Sequence, residues 1–308
     1  MKKFYGEGAL VLTTVIWGAT FTIIKTALED VSPMVFISMR FALASLILIP
    51  FIPKVFKNIS KPALIGGLIL GLLYFIGFTI QTVGLNYTSA TKSGFITGTF
   101  VVLTPLFQVM IERKAPGKGT MIGVVLVFIG LILLSSKGDS IVGIFTELGN
   151  NLNIGDVLTF ICAIFFALYI VYLDIVSKKF DYMPLVFIQV FLTAVGGFIS
   201  IGLFAATGIE EIRYAVNDNL IFAIAYTAIL ATVITTILQT RFQKTVTPTK
   251  AAVIFSLEPI FAAIIAFIVL NDRISNFGFI GCIFIFGGLL ASELIDKQKN
   301  ENGQPETS

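Results

Sequence analysis

Two stretches of the chain, one starting at Thr91-Lys92 and the other at Thr249-Lys250, repeat one another at a constant offset of about 158 positions. The same offset superposes Ile96 on Ile254, Ile122-Gly123 on Ile280-Gly281, Phe128 on Phe286 and Gly130-Leu131 on Gly288-Leu289. Each copy covers the last two of five apolar segments, so the chain reads as two halves with an odd number of segments each. If those segments cross a bilayer, the second half must lie upside down relative to the first. That is the inverted-repeat plan of secondary transporters, with a site between the halves.

The solvent is a bilayer. Residues are 56% hydrophobic, mean hydropathy is +0.95 and only 13% are charged, against about 25% in soluble domains. Ten nearly uncharged runs lie at 6–26, 33–53, 62–85, 91–112, 118–136, 154–175, 183–207, 219–240, 248–270 and 274–294. Each is close to the ~20 residues a helix needs to cross the hydrocarbon, and their continuity argues against barrel strands, which alternate over about ten residues. The expected fold is an all-α integral membrane protein, ten transmembrane helices arranged as two inverted five-helix repeats. Residues 1–137 form the first repeat, 138–153 a linker, 154–295 the second repeat, and the polar 296–308 a disordered tail.

Lysine and arginine fix an orientation. Counted on alternate sides of the ten spans, fifteen of the 21 fall on one side, among them Lys2, Lys3, Lys54, Arg113, Lys178, Arg241 and Lys297. The positive-inside rule then puts both termini in the cytoplasm of a multi-pass protein of the cytoplasmic membrane. The net charge of +3 is thus a topology signal and implies no nucleic acid. The apolar stretch after Lys2-Lys3 is too long for a signal peptide and no small-residue cleavage site closes it. Cys162 and Cys282 each fall inside a span, His is absent, and no metal site or cofactor is expected. No P-loop is present, so energy would come from an ion gradient, substrate exchange or facilitation rather than from ATP on this chain. An enzyme would need clustered acids, nucleophiles or metal ligands near one interface, and the sequence shows none.

Several short motifs carry a family likeness. They are Ile16-Trp17-Gly18-Ala19-Thr20-Phe21, Leu85 to Thr97, Gly155-Asp156-Val157-Leu158 with Ala167-Leu168-Tyr169, and Leu257-Glu258-Pro259-Ile260-Phe261. Together, in this order and across nearly the whole chain, they resemble the EamA family of the drug/metabolite transporter superfamily. The resemblance implies a ten-helix basket around a central cavity and the movement of small metabolites such as amino acids and their relatives, often outward.

Candidate site residues follow from cost. Glu258 lies about ten residues into the ninth span, where an ionised carboxylate costs about 2.5–3.5 kcal/mol. It reads as a cavity carboxylate that meets a cationic group or exchanges a proton, or as a protonated group bonded between helices. Arg40, seven residues into the second span, needs a carboxylate, backbone carbonyls, a snorkelling route or an anionic substrate group. A zwitterionic substrate would suit the two together. Pro105 and Pro259 are counterparts displaced by four residues, about one helical turn, and read as kinks or packing bends. Lys92 and Lys250 are repeat equivalents that inversion places at opposite faces, where they read as gates or as snorkelling lysines. Candidate lining comprises Trp17, Thr20, Tyr74, Gln81, Thr97, Thr99, Gln108, Tyr169, Gln189, Tyr226, Thr236 and Gln239, with Trp17, Gln81 and Tyr169 raised by the motifs. The partners implied are a small-molecule substrate, the lipid bilayer, and a coupling proton or other ion.

Overall fold

The structure is a computed structural model that describes residues 2–55, 59–135, 152–270 and 275–301. Nine of the described helices are long and apolar enough to cross a membrane. They are α1 (Tyr5–Ala27), α2 (Pro33–Phe51), α3 (Lys61–Tyr87), α4 (Ala90–Glu112), α6 (Ile154–Ser177), α7 (Tyr182–Thr207), α8 (Asp218–Thr245), α9 (Pro248–Ile265, its helix continuing to Leu270) and α10 (Asn276–Ile295). The tenth, α5 (Lys118–Leu134), has 17 residues in helix. These ten match the ten apolar runs. Most of the linker, through residue 151, lies outside the described residues. The tail departs from expectation, because the last helix continues to Glu301. Asp296 to Glu301 are rich in Lys, Gln and Glu, which favour continuing a helix already begun.

Short polar caps start the helices. Ser60, Ser89, Asn217 and Thr247 each accept a hydrogen bond from the backbone three residues on, and Asn153 and Asp156 form a reciprocal capping box. Pro62 and Pro248 sit in first turns, where the missing N–H is no loss. Outward-facing side chains such as Leu72, Phe198, Leu203, Phe279 and Phe286 are exposed, as suits a surface solvated by lipid.

The inversion is visible where the copies meet. α5 and α10 approach so closely that a Cβ on Gly123 would lie 2.7 Å from the Gly288 carbonyl oxygen, and one on Gly130 would lie 2.7 Å from that of Gly281. The early glycine of one helix faces the late glycine of the other, so two helices of like sequence run antiparallel. α4 and α9 are antiparallel too, since Gln108 near the end of one accepts from the Thr249 backbone N–H at 3.0 Å and hydroxyl at 2.6 Å near the start of the other. The face carrying the starts of α1 and α9 and the end of α10 is called here the terminal face, and its opposite the far face. On the far face, Val31 and Tyr214 pair as an antiparallel bridge, and Glu210 caps α2 by accepting from the Met34 N–H at 2.9 Å. Together these tie the α1–α2 loop to the α7–α8 loop.

Candidate functional site

The centre of the bundle holds a cavity of about 50 Å³. The first half lines it with Trp17 and Thr20 from α1, Arg40 from α2, Tyr74, Phe78 and Gln81 from α3, and Thr97 and Phe100 from α4. The second half adds Phe166 and Tyr169 from α6, Gln239 from α8, and Phe255 and Glu258 from α9. All six residues expected to meet a substrate, Trp17, Arg40, Gln81, Thr97, Tyr169 and Glu258, therefore face one space. Lys92, Lys250, Pro105 and Pro259 are not among the residues lining it.

Glu258 owes its position to a broken helix. α4 is interrupted at Thr99, between Ala90–Gly98 and Phe100–Glu112, and α9 at Ser256-Leu257, between Pro248–Phe255 and Glu258–Leu270. The hydrogen bonds of the two breaks repeat at the same sequence offset. Thr99 N donates to Ile96 O at 3.1 Å and Leu257 N to Ile254 O at 3.1 Å, while Val102 N donates to Thr99 O and Ile260 N to Leu257 O, each at 3.0 Å. Such bonds to the third residue back tighten a turn without continuing the α-helical ladder. Glu258 thus opens a half-helix, and the N-terminal end of a helix favours negative charge. Its repeat equivalent, Phe100, opens the other half-helix and faces the same cavity.

Pro105 does not set the α4 break. The α4 interruption lies six residues before Pro105, and the helix runs through that proline. Pro259 is the second residue of its half-helix, and with no N–H to offer the Phe255 carbonyl it stops the α-helical ladder at the α9 break. The one-turn displacement of the prolines is real, but the backbone break they were expected to mark is symmetric, and Pro105 does not make it.

α1 breaks as well, at Ala19. The carbonyls of that turn are occupied, Ile16 O by the Tyr226 hydroxyl at 2.8 Å and Trp17 O by the Thr20 hydroxyl at 2.7 Å. A Cβ on Gly18 would come within 2.7 Å of Phe261 Cβ and 2.9 Å of Ala262 N, so only glycine lets α1 lie against α9 here. The Trp17 indole N–H points to Thr235 Oγ1 at 3.2 Å, and its ring tilts against Phe255 at 5.5 Å between centroids.

Arg40 is almost wholly buried. Its Nε donates to Thr232 Oγ1 at 2.8 Å and its Nη2 to Ala231 O at 3.1 Å, both on the π-helical stretch Tyr226–Ile234 of α8. The guanidinium carbon lies 5.0 Å from the Phe41 ring and 4.9 Å from the Phe78 ring. Cation–π contact and a backbone carbonyl therefore hold a charge that sequence alone left without a partner.

Lys92 and Lys250 are ion-paired, each to a carboxylate in the opening turns of the other half's first helix. Lys92 Nζ meets Asp156 at 2.5 Å near the far face, and Asp156 also accepts from the Thr88 hydroxyl at 2.7 Å. Lys250 Nζ meets Glu7 at 2.8 Å near the terminal face and also pairs with Glu293. This is two-fold related, cross-half pairing rather than snorkelling.

The sequence pattern of the EamA-like transporter family matches residues 4–136 and 153–293. The chain belongs to that family. The EamA-like chain is 33% identical over 286 residues to an uncharacterized transporter of Archaeoglobus fulgidus, covering 92% of this chain and 84% of that one. It is 26% identical over 288 residues to the uncharacterized transporter YyaM of Bacillus subtilis, covering 91% of this chain and 90% of the relative. A solved crystal structure at 15% identity shares the fold with a TM-score of 0.73, covering 94% of this chain and 96% of that one. The EamA-like chain is accordingly a multi-pass membrane transporter.

Sequence reasoning missed the apolar wall, Phe78, Phe100, Phe166 and Phe255, because nothing separates a cavity phenylalanine from the other 26 of the 30 in the chain. It also missed the carboxylates that meet the lysines. Their signal was present, since Glu7 and Asp156 each lie in the opening turns of a half's first helix.

Proposed function

We propose that this chain is a secondary transporter that exports a small polar metabolite, amino-acid-like or related, across the cytoplasmic membrane by alternating access, with both termini cytoplasmic. The observation that carries the reading is one cavity walled by both inverted halves, with a carboxylate at a half-helix N-terminus, a guanidinium, two amides and an aromatic lining. Glu258 meets a cationic group of the substrate or exchanges the coupling proton, and Arg40 provides the opposite charge. The aromatic rings hold the apolar body of the solute, and Gln81 and Gln239 offer neutral hydrogen bonds. Lys92 with Asp156 and Lys250 with Glu7 close the two ends in turn.

Counterflow by purified protein in liposomes tests this, with a panel of amino acids, purines and sugars, with and without a pH gradient. Saturable exchange of at least one solute, absent from empty liposomes, is the expected result. Linear, non-saturating flux would make the chain a channel, and ordinary transport by Arg40→Ala would remove the opposite charge from the site. Full transport by the Lys92→Ala, Lys250→Ala double variant would end the gating assignment.

A further inference from the structure

Between the cavity and the terminal face the core is polar along α8. Thr236, Gln239, Thr240 and Gln243 follow one another down one side of the helix and are buried to 2% exposure or less. Thr236 to Gln243 span about 10 Å at 1.5 Å per residue, and the part from Gln239, in the cavity wall, to Gln243, near the end of the span, is about 6 Å. Each is joined to its surroundings by neutral bonds. The Tyr74 hydroxyl meets Thr236 at 2.8 Å, Gln239 donates to Gln243 at 3.1 Å, and Gln243 donates to Ile170 O at 2.7 Å. Gln189 of α7 donates to Thr240 at 3.3 Å and accepts from the Tyr169 hydroxyl at 2.8 Å.

The repeat shows that packing does not demand this chemistry. At the 158-residue offset, the counterparts of Thr236, Gln239, Thr240 and Gln243 on α3 are Phe78, Gln81, Thr82 and Leu85. The copy in the first half keeps the central Gln-Thr pair but has apolar residues at both ends. A bundle can be glued by interhelical hydrogen bonds, yet these are worth only about 0.6–2 kcal/mol each, and α3 does without two of them. Four polar residues in line, running past the central cavity toward one membrane face, are what a water-lined passage has when it is shut.

We infer that this amide–hydroxyl column is the collapsed terminal-side half of the solute path, a neutral, hydrogen-bonding passage for small polar solutes that parts when α8 moves from α6 and α7. The inference rests on the transporter reading above. In the shut state the groups satisfy one another, and in the open state water and solute replace those partners at little net cost, because hydrogen bonds are exchanged rather than lost.

Thiol accessibility tests it without knowledge of the substrate. In a Cys162→Ala, Cys282→Ala background, single cysteines are placed as Thr240→Cys and Gln243→Cys, with the lipid-facing Leu203→Cys as control. A charged, membrane-impermeant methanethiosulfonate is added at the face carrying the termini, located by an N-terminal tag, to variants that stay monodisperse. The column positions should react about tenfold or more faster than the control, because even a minor conformer populated at about 1–10% exposes them. Reaction of both no faster than Leu203→Cys overturns the inference. Counterflow without labelling would sink the column and spare the transporter reading, whereas labelling without counterflow by the background protein would do the reverse.

Discussion

α4 and α9 are two copies of one helix, and they differ where it matters for a substrate. Both start on a hydroxyl cap, Ser89 or Thr247, and carry a lysine three residues on that reaches the first helix of the other half. Both break at the same place with the same backbone bonds. Immediately after the break one copy presents Phe100 to the cavity and the other Glu258. Duplication has kept the scaffold and changed the chemistry. A break that exposes a half-helix N-terminus prepares a place for negative charge twice over, and only the second half uses it. Under the proposed function, a solute bound between them has its cationic end toward α9 and its apolar side toward α4.

The lysines separate the copies most strongly. Lys250 is 8% exposed and meets two carboxylates, whereas Lys92 is 19% exposed. Removing a partner from a buried ion pair leaves charge without compensation, at about 3 kcal/mol or more. Lys92→Ala, which strands the Asp156 carboxylate at 2% exposure, should therefore lower the thermal midpoint of the detergent-solubilised protein most, and Lys250→Ala, whose partners Glu7 and Glu293 are partly solvated, less. The Glu7→Lys, Lys250→Glu exchange should recover part of the loss. Equal midpoints for the two alanine variants would mean that the two ends are closed with equal strength.

Transport should separate them next. Glu258→Gln keeps shape and hydrogen bonding but removes the charge, worth about 1.5–3 kcal/mol when it meets a charged partner, so counterflow should fall about tenfold or more. Phe100→Leu, the equivalent site on α4, should change it less. Normal transport by Glu258→Gln at every pH would show that the difference between the copies lies elsewhere.

Much of this was legible beforehand, for physical reasons. Lipid demands long apolar helices with internally satisfied backbones, so the ten spans could be read from the sequence. The cost of charge in hydrocarbon drew attention to Arg40 and Glu258, and both line the cavity. What could not be read was the means of holding them. The Ala231 carbonyl reaches Arg40 from a π-helical turn almost two hundred residues away, and no local pattern predicts that turn. The break at Thr99 could not be read either, because its 3₁₀-type bonds need no special residue and its helix runs on through Pro105. The symmetric placement of Gln81 and Gln239, by contrast, is plain in the offset once the cavity shows that both face it.

The smallest effect concerns that hidden break. Pro105 lies within the second half-helix of α4, six residues beyond the interruption. Pro105→Ala would supply an N–H for the Val101 carbonyl and relieve the ring's clash with the preceding turn. Since the break at Thr99 is kept by its own backbone bonds and by the Thr99 hydroxyl on Ile96 O at 2.6 Å, straightening at Pro105 should leave Phe100 facing the cavity. Transport by Pro105→Ala should then stay within about 1 kcal/mol of the parent in terms of rate, a factor of about five. Thr99→Ala, which removes one hydrogen bond of about 1 kcal/mol, should perturb the break as much as the proline change or more. A collapse of transport in Pro105→Ala to the level of Glu258→Gln would reverse the argument. The proline would then carry the α4 hinge, and the matched bonds at Thr99 and Leu257 would be a relic of the duplication rather than the element on which both copies move.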